Sequence, residues 1–382
     1  MVGFGITVPV LPFYTERLAL RGRASPGDVA VQVGLLTAIY PLLQLLSAPL
    51  WGRWSDAVGR KRLVLVGIAG AVLAQTLFAF ATSLAMLYGA RVLGGLLTSA
   101  LLPAAAAYVA DATTEAERGR AMAWLGSATS LGAVAGPALG GLLARTGWQF
   151  GRIGGRVVVS SFAIPFLAAA ALAALAFIVA VAWLPDSRRP DSDPGPASAR
   201  GRSSVAGALG GRPLRALLGL AVAAQLGLAM FEATFALFAR RMWSFGAAQV
   251  GITFAVCGLV MALAQTGATT VLAKRVGALA QIAAGFGLVG ASLAALVLAR
   301  TAAAVLLVVG TLALGIALIV PNLATLISAH AGRRRGTALG VQSAAGSLGQ
   351  VGGTLLGGFL FAWRMDAPTS WPPPCSSQSA RP

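Results

Sequence analysis

Residues 118–143 read RGRAMAWLGSATSLGAVAGPALGGLL, and residues 335–360 read RGTALGVQSAAGSLGQVGGTLLGGFL. The two stretches align without a gap at an offset of 217, and 13 of the 26 positions are identical. A composition rich in Ala and Gly explains some of these matches, but not a shared Arg-Gly start that leads into a shared ladder of glycines. Upstream, Pro103 matches Pro321 at a similar offset. The repeat therefore predicts a duplicated bundle of six helices.

The chain around this repeat is strongly apolar, with 57% hydrophobic and 10% charged residues. Soluble domains carry about 25% charged residues. Ten apolar runs are each long enough to cross a bilayer of about 30 Å. They are residues 30–50, 63–82, 84–110, 121–144, 157–184, 216–239, 248–273, 276–299, 302–329 and 336–363. The sequence predicts an all-α polytopic membrane protein.

The two ends of the chain each look short of one helix. Residues 1–13 are apolar but too short to cross alone, and we interpret them as the second half of a first transmembrane helix. After Trp363 no apolar run follows, so a twelfth helix is expected to be missing, and truncation is the favoured explanation. The stretch 185–214 is rich in Pro, Gly, Ser and Arg, which indicates a flexible linker. The predicted domains are an N-terminal six-helix bundle at 1–184, a cytoplasmic linker at 185–214, a five-helix C-terminal bundle at 215–364 and a disordered tail at 365–382.

The basic residues that give the net charge of +18 are distributed unequally between the loops on the two sides of the membrane. Loops on the side of Arg60 hold 17 Lys and Arg residues, and the opposite side holds 11. This is the bias of the positive-inside rule, so we expect the side of Arg60 to be cytoplasmic and expect no nucleic-acid partner. Cys257, Cys375 and His330 are too few to build a metal site, so no metal or cofactor is expected. Catalytic motifs are also absent from the sequence, which argues against an enzyme.

One short turn, GRWSDAVGRKRLV at residues 52–64, concentrates charge between two apolar runs. Gly59 permits a tight reversal, and Asp56 is placed where it can meet the positive N-terminal end of a neighbouring helix. Arg60 to Arg62 are expected near lipid phosphates. A loop that only sets topology would explain the arginines, but neither the acid nor the spacing of the glycines.

The stretch LGAVAGPALGG at residues 131–141 carries glycines at small-xxx-small spacing, which lets a neighbouring backbone approach closely. Pro137 weakens the helical hydrogen bonding around it. Ordinary glycine-mediated helix packing is the alternative interpretation of this stretch.

Two charged residues lie inside apolar spans. Arg91 is the only basic residue well within one, and it should face the bundle or water, or else snorkel to an interface. Glu232 is the one acid near the middle of a span, where ionisation is costly, so it should protonate readily. It is a candidate for proton coupling or for contact with a cationic drug; the alternative is a neutral structural acid bonded to Thr234 or to another helix.

Together these motifs resemble the major facilitator superfamily, specifically its drug:proton antiporters, which include tetracycline and multidrug efflux proteins. The family pattern G-x-L-a-D-r-x-G-r-k matches here with Trp54 in place of Leu and Ala57 in place of Arg. The antiporter pattern g-x-x-x-G-P-x-x-G-G is matched fully. The resemblance implies a two-bundle helical fold of six plus six helices, with a shortened first helix and a missing twelfth. It also implies a conformational latch at Gly52, Asp56, Gly59, Arg60, Lys61 and Arg118, and an antiporter signature at Gly132, Gly136, Pro137, Gly140 and Gly141.

The resemblance further associates Arg91 with proton coupling, although Gly94 replaces the family's usual Gln. Polar and aromatic residues that could line a substrate cavity are Tyr40, Gln44, Gln225, Phe231, Phe235, Gln265, Asn322 and Gln342. The expected function is export of small amphipathic molecules in exchange for protons, by a monomer in a bacterial inner membrane. The alternatives are a proton-coupled importer of a sugar or metabolite and an inactive truncated transporter.

Overall fold

The computed structural model describes residues 1–145, 162–185, 212–265, 276–330 and 335–366. Every regular element in these ranges is a helix, which confirms the predicted all-helical fold. The helices are α1 Val2–Arg21, α2 Pro26–Val58, α3 Arg60–Ala79, α4 Leu84–Thr98, α5 Leu101–Ala112, α6 Glu115–Arg145, α7 Ala163–Trp183, α8 Arg212–Trp243, α9 Ala247–Leu263, α10 Ala278–Leu298, α11 Ala302–His330 and α12 Arg335–Asp366.

Two predicted spans differ from the observed helices. The first helix does not stop with the apolar run at residue 13 but continues to Arg21. The run 84–110, predicted as one span, is divided between α4 and α5. Pro103 lacks the N–H that would bond to the carbonyl of Ser99, so the helical hydrogen bonding is interrupted at that point. The Ser99 hydroxyl donates instead to the carbonyl of Leu96 at 2.7 Å.

Eight segments in the described ranges are long and apolar enough to cross a membrane, and α4 and α5 count together as one of them. These eight match eight of the ten predicted runs, and the runs 248–273 and 336–363 stay predictions. Glycine, serine and glutamine lower the mean hydropathy of α12. α9 ends at Leu263, and residues 266–275 are not among those described. The chain is therefore a multi-pass membrane protein.

Each half of the chain packs around its own aromatic core. In the first half, Phe78 stacks on Phe166 with ring centroids 5.0 Å apart, within a cluster that joins α1, α3, α4 and α7. In the second half, Phe235 meets Phe254 edge-on at 5.6 Å, within a cluster that joins α8 to α11. The predicted domain boundaries at residues 184 and 215 stay a prediction.

Two close helix crossings join the halves, one between α6 and α9 and one between α2 and α12. A Cβ on Gly251 would lie 2.6 Å from both the Cα of Gly141 and the carbonyl oxygen of Pro137. A Cβ on Gly34 would lie 3.1 Å from the Cα of Gly358 and 2.8 Å from the carbonyl oxygen of Thr354. The repeat offset of 217 relates the members of the first crossing to those of the second, residue by residue. The duplication is therefore expressed in the contacts between the halves as well as in the sequence.

Successive membrane-crossing segments alternate in direction, which gives the bundle two distinct ends. The C-terminus of α2 and the N-termini of α3, α6, α8 and α12 lie at one end, called here the linker end, and the opposite end is called the far end. At the linker end α2 passes into α3 through Gly59, whose φ of 94° favours glycine. The predicted reversal at this residue is observed.

Candidate functional site

A cavity of about 300 Å³ opens between α2, α8, α11 and α12. Its lining positions on α8 and α12 belong to the first half of each helix, so the cavity occupies the half of the bundle nearer the linker end. The wall combines apolar side chains with neutral polar ones. The lining residues are Gln44, Ala221, Ala224, Gln225, Val320, Leu323, Leu339, Gln342, Ser343, Gly346, Ser347 and Gln350.

Three of the eight predicted cavity residues meet in this wall, namely Gln44, Gln225 and Gln342. They come from three different helices that are distant in sequence. Gln350, Ser343 and Ser347 also line the cavity and were missed by the sequence reasoning. The helical spacing of four residues from Gln342 to Gly346 and on to Gln350 was the signal that could have found this face of α12.

The other predicted cavity residues lie elsewhere. The Tyr40 hydroxyl is 3.1 Å from the Thr98 hydroxyl, and the Asn322 amide donates to Gln281 at 3.0 Å. Phe231 and Phe235 are buried in the second-half core, and Gln265 is exposed beyond the end of α9. Tertiary packing uses these side chains inside or beside the bundle instead of in the cavity wall.

Glu232 lies on α8 two helical turns beyond Gln225, toward the far end. Seven residues rotate a helix through nearly two full turns and advance it by about 10 Å, so both side chains leave almost the same face of α8. Glu232 is half-buried, and among the described residues no basic side chain forms an ion pair with it. The hydroxyl of Thr234, the hydrogen-bond partner considered from sequence, donates to the carbonyl of Met230 at 2.8 Å instead.

An ion pair joins the two halves at the far end of the bundle. Arg240 Nη1 lies 2.6 Å from Glu16 Oε2, and the Arg240 guanidinium also sits over the ring of Phe13 at 5.6 Å. α8 contributes Arg240, and α1 contributes both partners. The contact therefore holds the halves together at the end opposite to the cavity.

Arg91 is buried in the first half, with 5% of its surface exposed. Its guanidinium carbon is 6.0 Å from the ring centroid of Tyr40 and 5.7 Å from that of Phe78, both within the range of a cation–π contact. Its Nε has no acceptor among the residues whose positions are described. Arg91 thus faces the bundle and does not snorkel to an interface.

The charged turn contacts a residue that the sequence analysis did not single out. Arg60 Nε lies 3.4 Å from Asp111 Oδ2 at the end of α5. Arg118 is exposed in the first turn of α6. Gly52 and the side chain of Asp56 are not among the parts of the chain whose contacts are described, so the proposed contact of Asp56 with a helix N-terminus stays a prediction.

The predicted signature in α6 presents two faces. A Cβ on Gly132 would lie 2.8 Å from Cβ of Met1, at the start of α1, and Cβ atoms on Gly136 and Gly140 would lie 2.7 Å from atoms of α1, within the first half. Gly141, one residue further, faces α9 in the second half. The glycines thus bring two different helices against the same stretch of backbone.

The family model of the Major Facilitator Superfamily matches residues 1–354 of this chain. The chain belongs to the major facilitator superfamily. The family suggested by the turn and the glycine signature is thereby confirmed, and with it the family's two-bundle fold.

Curated relatives of this superfamily member are resistance proteins. Multidrug resistance protein 1 of Bacillus subtilis (strain 168) is 29% identical over 360 residues, which cover 94% of this chain and 86% of the relative. The class D tetracycline resistance protein of Salmonella ordonez is 33% identical over 363 residues, with the same shares covered. This chain is thus similar to drug efflux members of the superfamily.

Among solved structures, the D-xylose-proton symporter matches with a TM-score of 0.68 at 15% identity, covering 96% of this chain and 94% of the other. At that identity the likeness shows only a shared fold.

Proposed function

We propose that this protein exports small amphipathic molecules, drug-like and of the kind that its resistance-protein relatives are named for, in exchange for protons. It does so as a monomer in a bacterial inner membrane, by alternating access. The observation that carries the proposal is the arrangement along α8. Gln225 is in the wall of a cavity near the linker end, Glu232 lies two turns deeper, and Arg240 forms an ion pair with Glu16 of the other half at the far end. A cavity near one end and an inter-half ion pair at the other are what an inward-facing transporter requires.

Orientation and coupling follow from charge. The excess of basic residues assigns the linker end to the cytoplasm, so the cavity receives substrate from inside the cell. Glu232 is the acid placed to exchange a proton as the halves move, since a carboxylate there is costly unless it is protonated or compensated. Arg91, held between two rings, is the second coupling candidate. The turn at residues 52–64, with Arg118, is the candidate latch, which holds the halves in one conformation and releases them in the other.

The sign of proton movement tests the proposed antiport. Tetracycline is added outside proteoliposomes that hold a fluorescent pH indicator. Because each entering substrate molecule should expel a proton, we expect the internal pH to rise, and protein-free liposomes provide the baseline. The importer alternative, which the shared fold of the xylose symporter keeps in view, predicts that D-xylose acidifies the interior. That result would replace the exporter with a symporter.

The proposed latch can be tested through the ion pair of Arg60 with Asp111. Both side chains are partly exposed, so the pair contributes at most about 1 kcal/mol and its loss should change transport by no more than about fivefold. We expect Arg60→Ala and Asp111→Asn each to slow transport of tetracycline, and the double variant to be no slower than the worse single one. Glu117→Gln, an exposed acid at the same end, is the matched control. Additive losses in the double variant would mean that the pair does not act as a unit.

A further inference from the structure

The wall of the cavity is polar but uncharged. Its polar side chains are four glutamines and two serines, and none of its described lining residues is ionisable. Each glutamine amide supplies two donors and an acceptor, and each serine hydroxyl supplies both. The remaining wall is aliphatic, with Val320, Leu323 and Leu339 among its members. The cavity thus offers a neutral hydrogen-bonding side and an apolar side.

The glycines of α12 place two of these amides in a common wall. A Cβ on Gly346 would lie 3.5 Å from Cγ of Gln225, and a Cβ on Gly349 would lie 3.1 Å from Cβ of the same glutamine. α8 can therefore approach α12 closely, with Gln225 lying along the glycine face. Gln342 is one turn before Gly346 on α12 and lines the same cavity. The wall therefore depends on the close approach of α8 to α12 as well as on the residue types of the two helices.

The side-chain carbonyl of Gln342 differs from that of a structural amide, because no described part of the fold gives it a hydrogen-bond donor. Its Oε1 is buried, and no donor reaches it within the described part of the chain. Gln281 of α10, which is buried against α11, is a structural amide for comparison. Its amide nitrogen donates to the carbonyl of Val276 at 2.8 Å, and its oxygen accepts from Asn322 at 3.0 Å. A buried carbonyl without a donor is costly, so the amide of Gln342 would gain by turning toward a ligand in the cavity that offers a donor.

On these grounds, and resting on the proposed function, we infer that the cavity selects substrates without net charge, whose polar edge carries both hydrogen-bond donors and acceptors. Gln225 and Gln342 recognise that edge, and permanent lipophilic cations are disfavoured. A charged ligand group placed against this wall would lose its hydrating water without gaining a counter-charge. Neutral donors and acceptors of a ligand would instead form hydrogen bonds with the glutamines and serines. Glu232 does not offset this cost, because it leaves α8 about 10 Å further along the helix and is not part of the wall.

Equilibrium binding of two probes to the purified chain in lipid nanodiscs, without any gradient, tests this selectivity. Chloramphenicol is uncharged and carries hydroxyl and amide groups, whereas tetraphenylphosphonium is a permanent cation without hydrogen-bonding groups. We expect chloramphenicol to bind at least about tenfold more tightly, and Gln342→Leu and Gln225→Leu each to weaken it about tenfold. Gln32→Leu, the same change on α2 outside the cavity, should leave binding unchanged. Gln342→Glu should invert the order of the probes by giving the cation a counter-charge.

The inference is overturned if tetraphenylphosphonium binds the unmodified protein as tightly as chloramphenicol, or if neither probe binds. It is also overturned if both leucine variants, with unchanged melting temperatures, retain chloramphenicol affinity. None of these outcomes depends on proton flux. A failed selectivity test therefore leaves the antiport proposal standing, and a failed antiport test leaves the binding result intact.

Discussion

Replacing Gly141 by alanine is expected to reduce transport at least tenfold and to lower the melting temperature of the purified protein by several degrees. A Cβ at this position would lie 2.8 Å from the Cα of Gly251 and from the carbonyl oxygen of Ala247, both backbone atoms of α9. A side chain could rotate out of the way, but backbone atoms move only if the helices separate. Overpacking of this kind costs about 1–3 kcal/mol, and here it strains the contact between the two halves.

The repeat provides an equivalent position, 217 residues further on, at which the same substitution can be tested. Gly358→Ala should have a similar effect at the crossing of α12 with α2, where a Cβ would lie 3.0 Å from the Cα of Gly34. Gly126→Ala on α6 and Gly340→Ala on α12 are the matched controls, because a Cβ at either position meets no atom of the described residues within 4 Å. Melting curves and tetracycline flux of the four variants are compared. If Gly141→Ala behaves like Gly126→Ala in both measurements, close approach of the halves is not needed for folding or transport.

Replacing Glu232 by glutamine is expected to abolish proton-driven accumulation while leaving substrate exchange at equal pH. The amide nearly preserves the shape of the side chain but cannot take up or release the proton. One coupled charge at 100 mV supplies about 2.3 kcal/mol, which supports an accumulation of about 50-fold, and this is the amount that should be lost. Tetracycline gradients in energised vesicles and counterflow in de-energised ones measure the two activities separately.

The control for this variant is Glu117→Gln, which removes an exposed acid at the start of α6 and should leave accumulation unchanged. A neutral structural role for Glu232 predicts a different result, since an amide can replace a protonated carboxyl in its hydrogen bonds. pH-dependent export by Glu232→Gln would therefore exclude coupling at this residue and transfer the role to Arg91.

Part of the cavity wall and the reversal at Gly59 could be predicted from residue types. A glutamine in an apolar span is a polar group that can bind a substrate, and Gln44, Gln225 and Gln342 do meet in one wall. The same reasoning also selected Phe231 and Asn322, which pack inside the second half. A polar or aromatic residue in a membrane helix serves packing as readily as binding, and composition does not separate the two uses.

Asp111 shows a different limit of sequence reasoning. It lies 51 residues from Arg60 and is exposed at the end of α5, so no local pattern connects the two. The sequence also does not predict the division of α4 from α5 at Ser99, although Pro103 lies only four residues further on. A proline signals a weakened helix, but its effect depends on whether neighbouring helices tolerate the interruption.

The sequence by itself determined the membrane setting, the duplication, the family and the asymmetry of basic charge, because these depend on composition, spacing and order along the chain. Only the tertiary structure decided which neighbour each small residue meets. Gly140 and Gly141 are adjacent in sequence, yet the first faces α1 in its own half and the second faces α9 in the other half. Successive residues on a helix point about 100° apart, so each addresses a different partner, and the arrangement of all the helices determines which partner that is.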